Sequence, residues 1–186
     1  MTTYDGPDVR DCVACSDLVD GRTKIVNGRG AEDARLAIVG EAPGRFEDEA
    51  GRPFVGRSGE ILEASLLEFG VDPAAVRITN CVRCRPPDNR DPRVGERSNC
   101  RGHLEREVAS VDPAVVLTLG RVPAQELLGR PVAVTKEVNS VKTVDLGGKP
   151  RSVVVGLHPA ATLYDRSTRP VFEEALDHAI ELAGVD

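Results

Sequence analysis

Tryptophan is absent from this 186-residue chain, and phenylalanine and tyrosine together make up only 3% of it. The core must therefore be built from aliphatic side chains, mostly valine, leucine, alanine and isoleucine. Long apolar runs are missing too, since none approaches the ~20 residues that a membrane helix requires. The start of the sequence, Met1 to Asp11, is polar and acidic and does not resemble a signal peptide. These absences predict a cytoplasmic protein without membrane contact.

Lysine is also scarce: four lysines stand against twenty arginines, and the net charge is −6. This balance excludes an evenly basic nucleic-acid binder, and it would suit a high-salt cytoplasm. Arginine binds phosphate through two parallel hydrogen bonds, whereas lysine offers a point charge. Six arginines crowd one segment, which is either a solvated face or a phosphate-binding one: Arg83, Arg85, Arg90, Arg93, Arg97 and Arg101.

The length suffices for one domain with a substantial core. Apolar runs predict strands at residues 34–39, 76–80, 114–119, 141–144 and 152–157. Helical spacing, caps and breakers predict helices at residues 58–70, 98–110, 122–128 and 170–183. Because strands alternate with helices, the expected fold class is α/β with a mostly parallel sheet.

Four residues lie at or just past the C-terminal end of a predicted strand: Glu41, Asn80, Gly120 and His158. The carboxyl ends of parallel strands meet at one edge of a sheet, and open α/β sheets bind their ligands there. We therefore expect these residues to surround one ligand, although each alone is more commonly a turn or surface residue.

The loop from Gly40 to Gly56 carries glycines, prolines, carboxylates and one aromatic, but no phosphate-binding motif. Its glycines allow close backbone approach to a flat ligand, on which Phe54 can stack. The alternative for Phe54 is plain core packing. Asn80 offers one acceptor and two donors in a plane, which suits the amide-like edge of a pyrimidine.

The five cysteines are expected to be metal ligands or buried thiols rather than disulfides, because a cytoplasm keeps thiols reduced. Cys12 and Cys15 form a C-x2-C pair. From spacing alone, adding Cys81 and Cys84 gives a zinc site as readily as adding Cys84 and Cys100 gives an iron–sulfur site. That all five are structural thiols also remains open at this point.

In combination these motifs resemble the family 4 uracil-DNA glycosylases, the iron–sulfur group of that superfamily. The similarity runs from Cys12 to about Arg169. It depends on GEAPG at 40–44, GRPFVG at 51–56, Asn80 followed by CRPPDNR at 84–90, and HPA at 158–160. One departure is Ala42, because much of the superfamily has an aspartate there as water activator.

The resemblance implies a single three-layer α/β/α domain over residues 1–186, with four to five strands. It implies a [4Fe–4S] cluster on Cys12, Cys15, Cys84 and Cys100 that ties in residues 1–30 and leaves Cys81 unliganded. We expect this cluster to be structural and to orient the arginine-rich segment for contacts with the DNA backbone.

The implied activity is removal of uracil from single- and double-stranded DNA in base excision repair, by a monomer. We expect Phe54 to stack on the base, Asn80 to read its edge, and His158 to donate to the uracil oxygen that gains charge. The remaining expected site residues are Gly40 and Ala42 in the pocket backbone, Glu41 and Glu47 positioning water, Asn89 holding Glu47, and Leu163, or else Tyr164, filling the vacated base stack.

No lysine lies in these motifs, so Schiff-base chemistry is not expected and the product is an abasic site. Three other interpretations stay open. They are a non-enzymatic four-cysteine zinc module that binds DNA, an electron-transfer iron–sulfur protein, and a glycosylase of the same superfamily with a broader range of bases.

Overall fold

A computed structural model describes residues 8–185 of the chain. Six strands form one sheet in the order β1-β3-β2-β4-β6-β5. The strands are β1 (Arg29–Gly30), β2 (Leu36–Gly40), β3 (Arg77–Asn80), β4 (Val115–Leu119), β5 (Val141–Leu146) and β6 (Lys149–Gly156). The four central strands run parallel, and the two edge strands, β1 and β5, are antiparallel to their neighbours.

Eight helices accompany the sheet within the described residues. They are α1 (Ser16–Gly21), α2 (Arg45–Ala50), α3 (Arg57–Glu68), α4 (Val94–Val111), α5 (Arg121–Leu128), α6 (Val134–Glu137), α7 (Ala161–Tyr164) and α8 (Arg169–Ala183). Short 3₁₀ turns lie at Pro87–Asn89 and Arg166–Thr168.

The central strands are apolar throughout because both of their faces are covered, as is usual in parallel sheets. In β2, Leu36 and Ile38 face one core with Leu62 of α3 and Phe172 of α8. The alternate residues of β2 face a second core, which includes Leu104 of α4. Helices therefore lie on both faces of the sheet, and the predicted three-layer α/β fold class is confirmed.

Sequence reasoning differs from the structure mainly at the sheet edges and in the short helices. The sheet has six strands rather than four to five, because the two-residue β1 is too short to show a periodicity. Helix α4 begins at Val94 rather than Ser98, because the Glu96 side chain accepts a hydrogen bond from the Arg93 backbone at 2.7 Å and closes the first turn early.

The segment before β1 is attached to the body by hydrogen bonds. The buried Asp48 carboxylate accepts from the backbone N–H of Thr23 at 2.8 Å and of Lys24 at 3.2 Å. Further along, the Val26 N–H donates to the Arg83 carbonyl at 2.8 Å. The predicted single domain of residues 1–186 also includes residues 1–7 and 186, which lie outside the described part.

Searching residues 8–185 for a helix of the length and apolarity needed to span a membrane finds none.

Candidate active site

The strand ends meet as the sequence pattern predicts. Gly40 and Asn80 are paired neighbours at the ends of β2 and β3. Gly120, directly after β4, has a φ of +105°, and a Cβ there would lie 3.4 Å from the Cβ of His158. A glycine at this position lets the chain turn sharply beside the histidine.

A cavity of about 180 Å³ opens at this edge of the sheet. We call it the strand-end cavity. It is lined by Ala42, Gly44, Glu47, Phe54, Ser58, Asn80 and His158. The structure thus brings Phe54, Asn80 and His158 together, although they lie more than a hundred residues apart at the extremes.

Phe54 forms one wall of the cavity in an uncommon backbone conformation. Its φ of +53° lies in the left-handed region, which costs a non-glycine residue of order 1–3 kcal/mol. The ring packs over Gly40, where a Cβ would come within 2.7 Å of the ring carbon Cζ. Its centroid is 5.8 Å from that of the His158 ring, at 27° between planes. Gly40 therefore contributes by leaving room for the aromatic wall.

Asn80 lies at the floor of the cavity with only 3% of its surface exposed. Within residues 8–185 its carboxamide has neither a donor nor an acceptor partner, since no side-chain hydrogen bond of Asn80 is formed. Buried carboxamides are normally paired because an unpaired polar group costs about 1–3 kcal/mol. The donor and acceptor of Asn80 are thus available to a ligand.

His158 follows β6 and is fixed in one tautomer. The backbone N–H of Ala160 donates to Nδ1 at 3.1 Å, so in the neutral ring the proton resides on Nε2. Removal from water lowers the pKa of His158 to about 4, although the nearby Glu47 carboxylate opposes this shift. At neutral pH the cavity therefore contains an uncharged imidazole with a free N–H donor.

Among residues 8–185, Glu47 is the only carboxylate that lines the cavity. Its Oε1 accepts from the backbone N–H of Val55 at 3.3 Å and of Gly56 at 3.2 Å. Asn89 is exposed and accepts instead from Arg85 Nε at 2.7 Å. The predicted support of Glu47 by Asn89 is therefore wrong, because the loop at 53–56 folds back over α2 and supplies the donors. The catalytic roles of Glu47 and Asn89 stay predictions.

Glu41 does not line the cavity, although the sequence places it beside Ala42, which does. Its carboxyl faces Asp91, Arg97 and Arg121. Burial, together with the negative charge of Asp91 and a hydrogen bond to it, raises the pKa of Glu41 to about 7. Of the two carboxylates predicted to position water, only Glu47 is therefore at the cavity.

Leu163, the predicted base-stack filler, lies outside the cavity. It lines an adjoining groove with Ile61, Thr162, Arg166 and Arg169. The side chain is 37% exposed, and that of the neighbouring Tyr164 is 92% exposed. Ser58, the first residue of the predicted helix at 58–70, was not predicted as a site residue but lines the cavity. Helix α3 begins one residue earlier, with Gly56 as its N-cap.

The four predicted metal-ligating cysteines lie near one another. Cys12 and Cys15 both affect the pKa of Cys84, which burial raises. Burial raises the pKa of Cys100 to about 11, and Cys84 and Cys12 add to the rise. In residues 8–185, however, no group of three or more Cys, His, Asp and Glu side chains is placed to hold a metal ion.

Hydrogen-bond donors surround these sulfurs. Arg22 donates to Cys84 Sγ at 3.0 Å, and Asn99 Nδ2 donates to Cys15 Sγ at 3.4 Å. The Arg83 backbone N–H donates to Cys100. The Arg83 side chain is buried and bonds Glu107 through one nitrogen, while its Nε and other terminal nitrogen have no partner. Such donor-rich surroundings suit anionic thiolates.

The arginine-rich segment is largely neutralised within the protein. Five of its arginines pair with carboxylates: Arg83 with Glu107, Arg90 with Glu96, Arg93 with Asp17, Arg97 with Glu126, and Arg101 with Glu105. The sixth, Arg85, donates to the Asn89 side chain. The expectation that this segment is free to bind the DNA backbone is therefore not supported by its contacts. We use the name thiol region for the four predicted metal-ligating cysteines together with the six arginines of this segment.

Comparison with known proteins gives consistent results. The Uracil DNA glycosylase superfamily model matches residues 27–180. A type-4 uracil-DNA glycosylase of Archaeoglobus fulgidus is 37% identical over 182 residues, which is 95% of this chain and 92% of that protein. One of Thermotoga maritima is 40% identical over 160 residues, covering 86% and 81%. One of Sulfurisphaera tokodaii is 36% identical over 181 residues, covering 95% and 82%.

Proposed function

This chain belongs to the uracil DNA glycosylase superfamily, and on that premise we propose that its strand-end cavity takes up uracil flipped out of DNA. The chain is a glycosylase of DNA repair that hydrolyses the bond between uracil and deoxyribose. The observation that carries the assignment to this cavity is the meeting of Phe54, Asn80 and His158 around one space.

Uracil presents two carbonyl oxygens and one N–H donor on its ring edge. Asn80 matches this edge, since its carbonyl accepts from N3–H and its amide donates to O4. The Phe54 ring stacks on the face of the base. Removing the base from the DNA stack costs a few kcal/mol, and this cost is lowest for mispaired or single-stranded uracil.

Bond cleavage leaves the electron pair of the C1′–N1 bond on uracil, so negative charge grows on the ring oxygens. His158 donates Nε2–H to O2 as a neutral group. A donor preorganised for developing charge contributes roughly 3–4 kcal/mol in comparable sites. Because the pKa of His158 is lowered to about 4, it acts by hydrogen bonding and does not transfer its proton.

Water must reach C1′ of the cationic sugar. Glu47 is the carboxylate at the cavity, and the N–H groups of Val55 and Gly56 fix one of its oxygens. The other oxygen orients the water, whose oxygen bonds to C1′ while the Glu47 carboxylate accepts its proton. The released uracil anion then takes up a proton from solvent. No lysine lines the cavity, so no Schiff base forms and the product is an abasic site.

We propose that Cys12, Cys15, Cys84 and Cys100 would hold a [4Fe–4S] cluster. Two observations support this assignment: the donors around the sulfurs, and the two buried Arg83 nitrogens that lack an acceptor. The alternative is a tetrahedral zinc ion, whose four sulfurs would each lie about 2.3 Å from the metal. A four-iron cluster binds each thiolate at a different iron. When bound, it supplies a rigid cross-link and no catalytic step.

One assay tests the function. Purified protein is incubated with a labelled oligonucleotide containing one uracil, and the product is heated in alkali. We expect a nick at the uracil that appears only after the alkali treatment, without any added metal ion. We also expect the enzyme to be cytoplasmic. Matched oligonucleotides with thymine or hypoxanthine reveal any wider base range. A nick without alkali would contradict the monofunctional mechanism, and no base release would contradict the function itself.

A further inference from the structure

The arginines of this chain fall into two unequal groups. Of the twenty, only Arg52, Arg57 and Arg166 make no side-chain hydrogen bond or ion pair in the described part of the chain, residues 8–185. All three are exposed. In the described residues every other arginine contacts another group of the protein, so the location of these three is informative.

The aromatic side chains divide in the same way. Five of them lie in the described residues: Phe54 and Phe172 are buried, and Phe69 packs against the core. The other two are exposed, Phe46 by 63% and Tyr164 by 92%. Leaving large aromatic rings in water is unfavourable unless a partner covers them.

On one side of the strand-end cavity, the exposed groups are Phe46, Arg52 and Arg57, which are close to Glu47 in the sequence. A Cβ on Gly56 would lie 3.6 Å from Phe46 Cδ2 and 3.5 Å from Glu47 Oε1, so the Phe46 ring lies beside the cavity carboxylate. Arg57 is the next residue along, and Arg52 lies in the same loop, two residues before Phe54.

On the other side, the exposed groups follow His158. Tyr164 ends helix α7, and Arg166 lines the groove with Leu163 and Ile61. Ile61 lies one turn after Arg57 on α3, so the two share a helix face. The groove is therefore bordered by α3, the helix that carries Arg57, and by the segment that carries Arg166.

We propose that these five residues form a binding surface for unpaired DNA on both sides of the extruded nucleotide. Phe46 and Tyr164 stack on the neighbouring bases, and Arg52, Arg57 and Arg166 bind the phosphates. This proposal deepens the proposed function and rests on it. We name the five residues the mouth surface.

Single-stranded DNA is the partner that this chemistry fits. An exposed ring recognises the face of a base, which duplex DNA keeps stacked inside the helix, whereas a single strand offers every base face. Arginine without an internal partner is free to form two hydrogen bonds with a phosphate. The paired arginines of the thiol region lack this freedom.

The charge contribution is tested through salt dependence. Binding to a labelled single-stranded oligonucleotide with a central abasic analogue is measured by fluorescence anisotropy from 50 to 200 mM KCl. Each lost phosphate contact on a single strand lowers the log–log slope by about 0.7, so Arg57→Gln/Arg166→Gln should lower it by about 1.4. Arg52→Gln alone should lower it by about 0.7.

The matched control is Arg106→Gln/Lys142→Gln, which removes the same charge from α4 and β5, away from the mouth surface. Its slope should stay that of the wild type. Arg57→Lys/Arg166→Lys should restore most of the slope, because a lysine also neutralises a phosphate. An equal change in slope for the control pair would overturn the proposal, since it would reflect net charge alone.

The stacking contribution is tested with Phe46→Ala and Tyr164→Ala. Each should weaken single-strand binding roughly 5- to 150-fold, the range expected for loss of one base–aromatic stack. Phe46→Tyr and Tyr164→Phe should bind like the wild type. Leu182→Ala, which trims an exposed apolar residue on α8, should leave affinity unchanged.

The two levels of the proposal fail in different ways. If the variants lose affinity and slope as expected but the wild type releases no uracil, the proposed function fails, and the mouth surface is upheld only as a surface that binds single-stranded DNA. If the wild type releases uracil but the alanine and glutamine variants bind as tightly and with the same slope, the mouth surface is wrong and the function stands.

Discussion

In the strand-end cavity, the Asn80 carboxamide and the Nε2 of His158 have no partner among the described residues, whereas the arginine-rich segment of the thiol region holds its charges in contacts with Glu107, Glu96 and other side chains. The cavity contains few charges, and the thiol region contains many. Yet it is the cavity whose polar groups are free to bind a ligand.

The difference shows that charge density in a sequence does not identify a binding surface. Six arginines between residues 83 and 101 suggest phosphate binding, but carboxylates from α1, α4 and α5 neutralise most of them. Partner availability is the better criterion, because an internally paired guanidinium must break its existing bonds before it binds anything else. By this criterion we expect the thiol region to act as a structural brace.

The largest expected effect is loss of that brace. Cys84→Ala should remove the broad visible absorbance of the cluster completely. If the cluster stabilises as a cross-link closing a long loop does, by about 4 kcal/mol, the Tm should fall by roughly 10 °C. Visible spectra and calorimetry of protein purified without oxygen measure both.

Cys81→Ala is the matched control, since Cys81 is fully buried in the same core. It should keep the absorbance and lose only about 1 kcal/mol of stability. Loss of metal from this variant would instead support the ligand set Cys12, Cys15, Cys81 and Cys84.

The next largest effect concerns the floor of the cavity. Asn80→Asp replaces the amide donors by a negative charge that repels O4 of uracil. We expect single-turnover uracil release to fall by at least roughly 10³-fold, as when a site built for a hydrogen bond loses its complement. Asn89→Asp makes the same chemical change at an exposed position and should stay within about threefold. Similar losses in both variants would place Asn89 in the mechanism.

His158→Gln should slow uracil release by roughly 10²- to 10³-fold, the usual effect of removing one donor to developing charge.

The pH dependence of the rate of uracil release then distinguishes a neutral hydrogen-bond donor from an acid at position 158. Because the pKa of His158 is lowered to about 4, the imidazole stays neutral from pH 8 down to about pH 5, and the rate should be flat over that range. The pH profile of uracil release is measured in the Glu41→Gln variant, because this substitution removes the carboxyl group whose pKa is raised to about 7. A rate that climbs as the pH falls through 6.5 would mean that the imidazolium is the active form.

Much of this arrangement could be predicted from the sequence, because it depends on local patterns. Apolar runs define the strands, and the parallel order brings Asn80 and His158 to one edge without any knowledge of side-chain contacts. The place of Phe54 beside the ligand site was also predicted, from a glycine-rich loop that follows a strand, and its stacking on a base stays a prediction. Its left-handed backbone conformation could not be predicted, since only the packing of the ring over Gly40 reveals it.

Pairing between distant side chains could not be predicted. Glu41 and Glu47 look equivalent in the sequence, because both are carboxylates following a buried strand. Their side chains diverge because Glu41 ends up against Asp91 and Arg121, which lie 50 and 80 residues further along. Asn89 similarly meets Arg85 within its own turn. Such choices depend on tertiary contacts that no local pattern encodes.

The smallest effect therefore separates the two carboxylates. Glu47→Gln keeps the shape of the side chain but removes the charge that orients water, and it should slow uracil release by roughly 10- to 100-fold at pH 7.5. Glu41→Gln should stay within about threefold, because its carboxyl lies outside the cavity and, with its pKa raised to about 7, is already partly protonated near neutrality. Single-turnover rates on one uracil oligonucleotide compare the two directly. If Glu41→Gln were the slower enzyme, water would be positioned from the Asp91 side, and the strand-end cavity would bind the base without supplying the nucleophile.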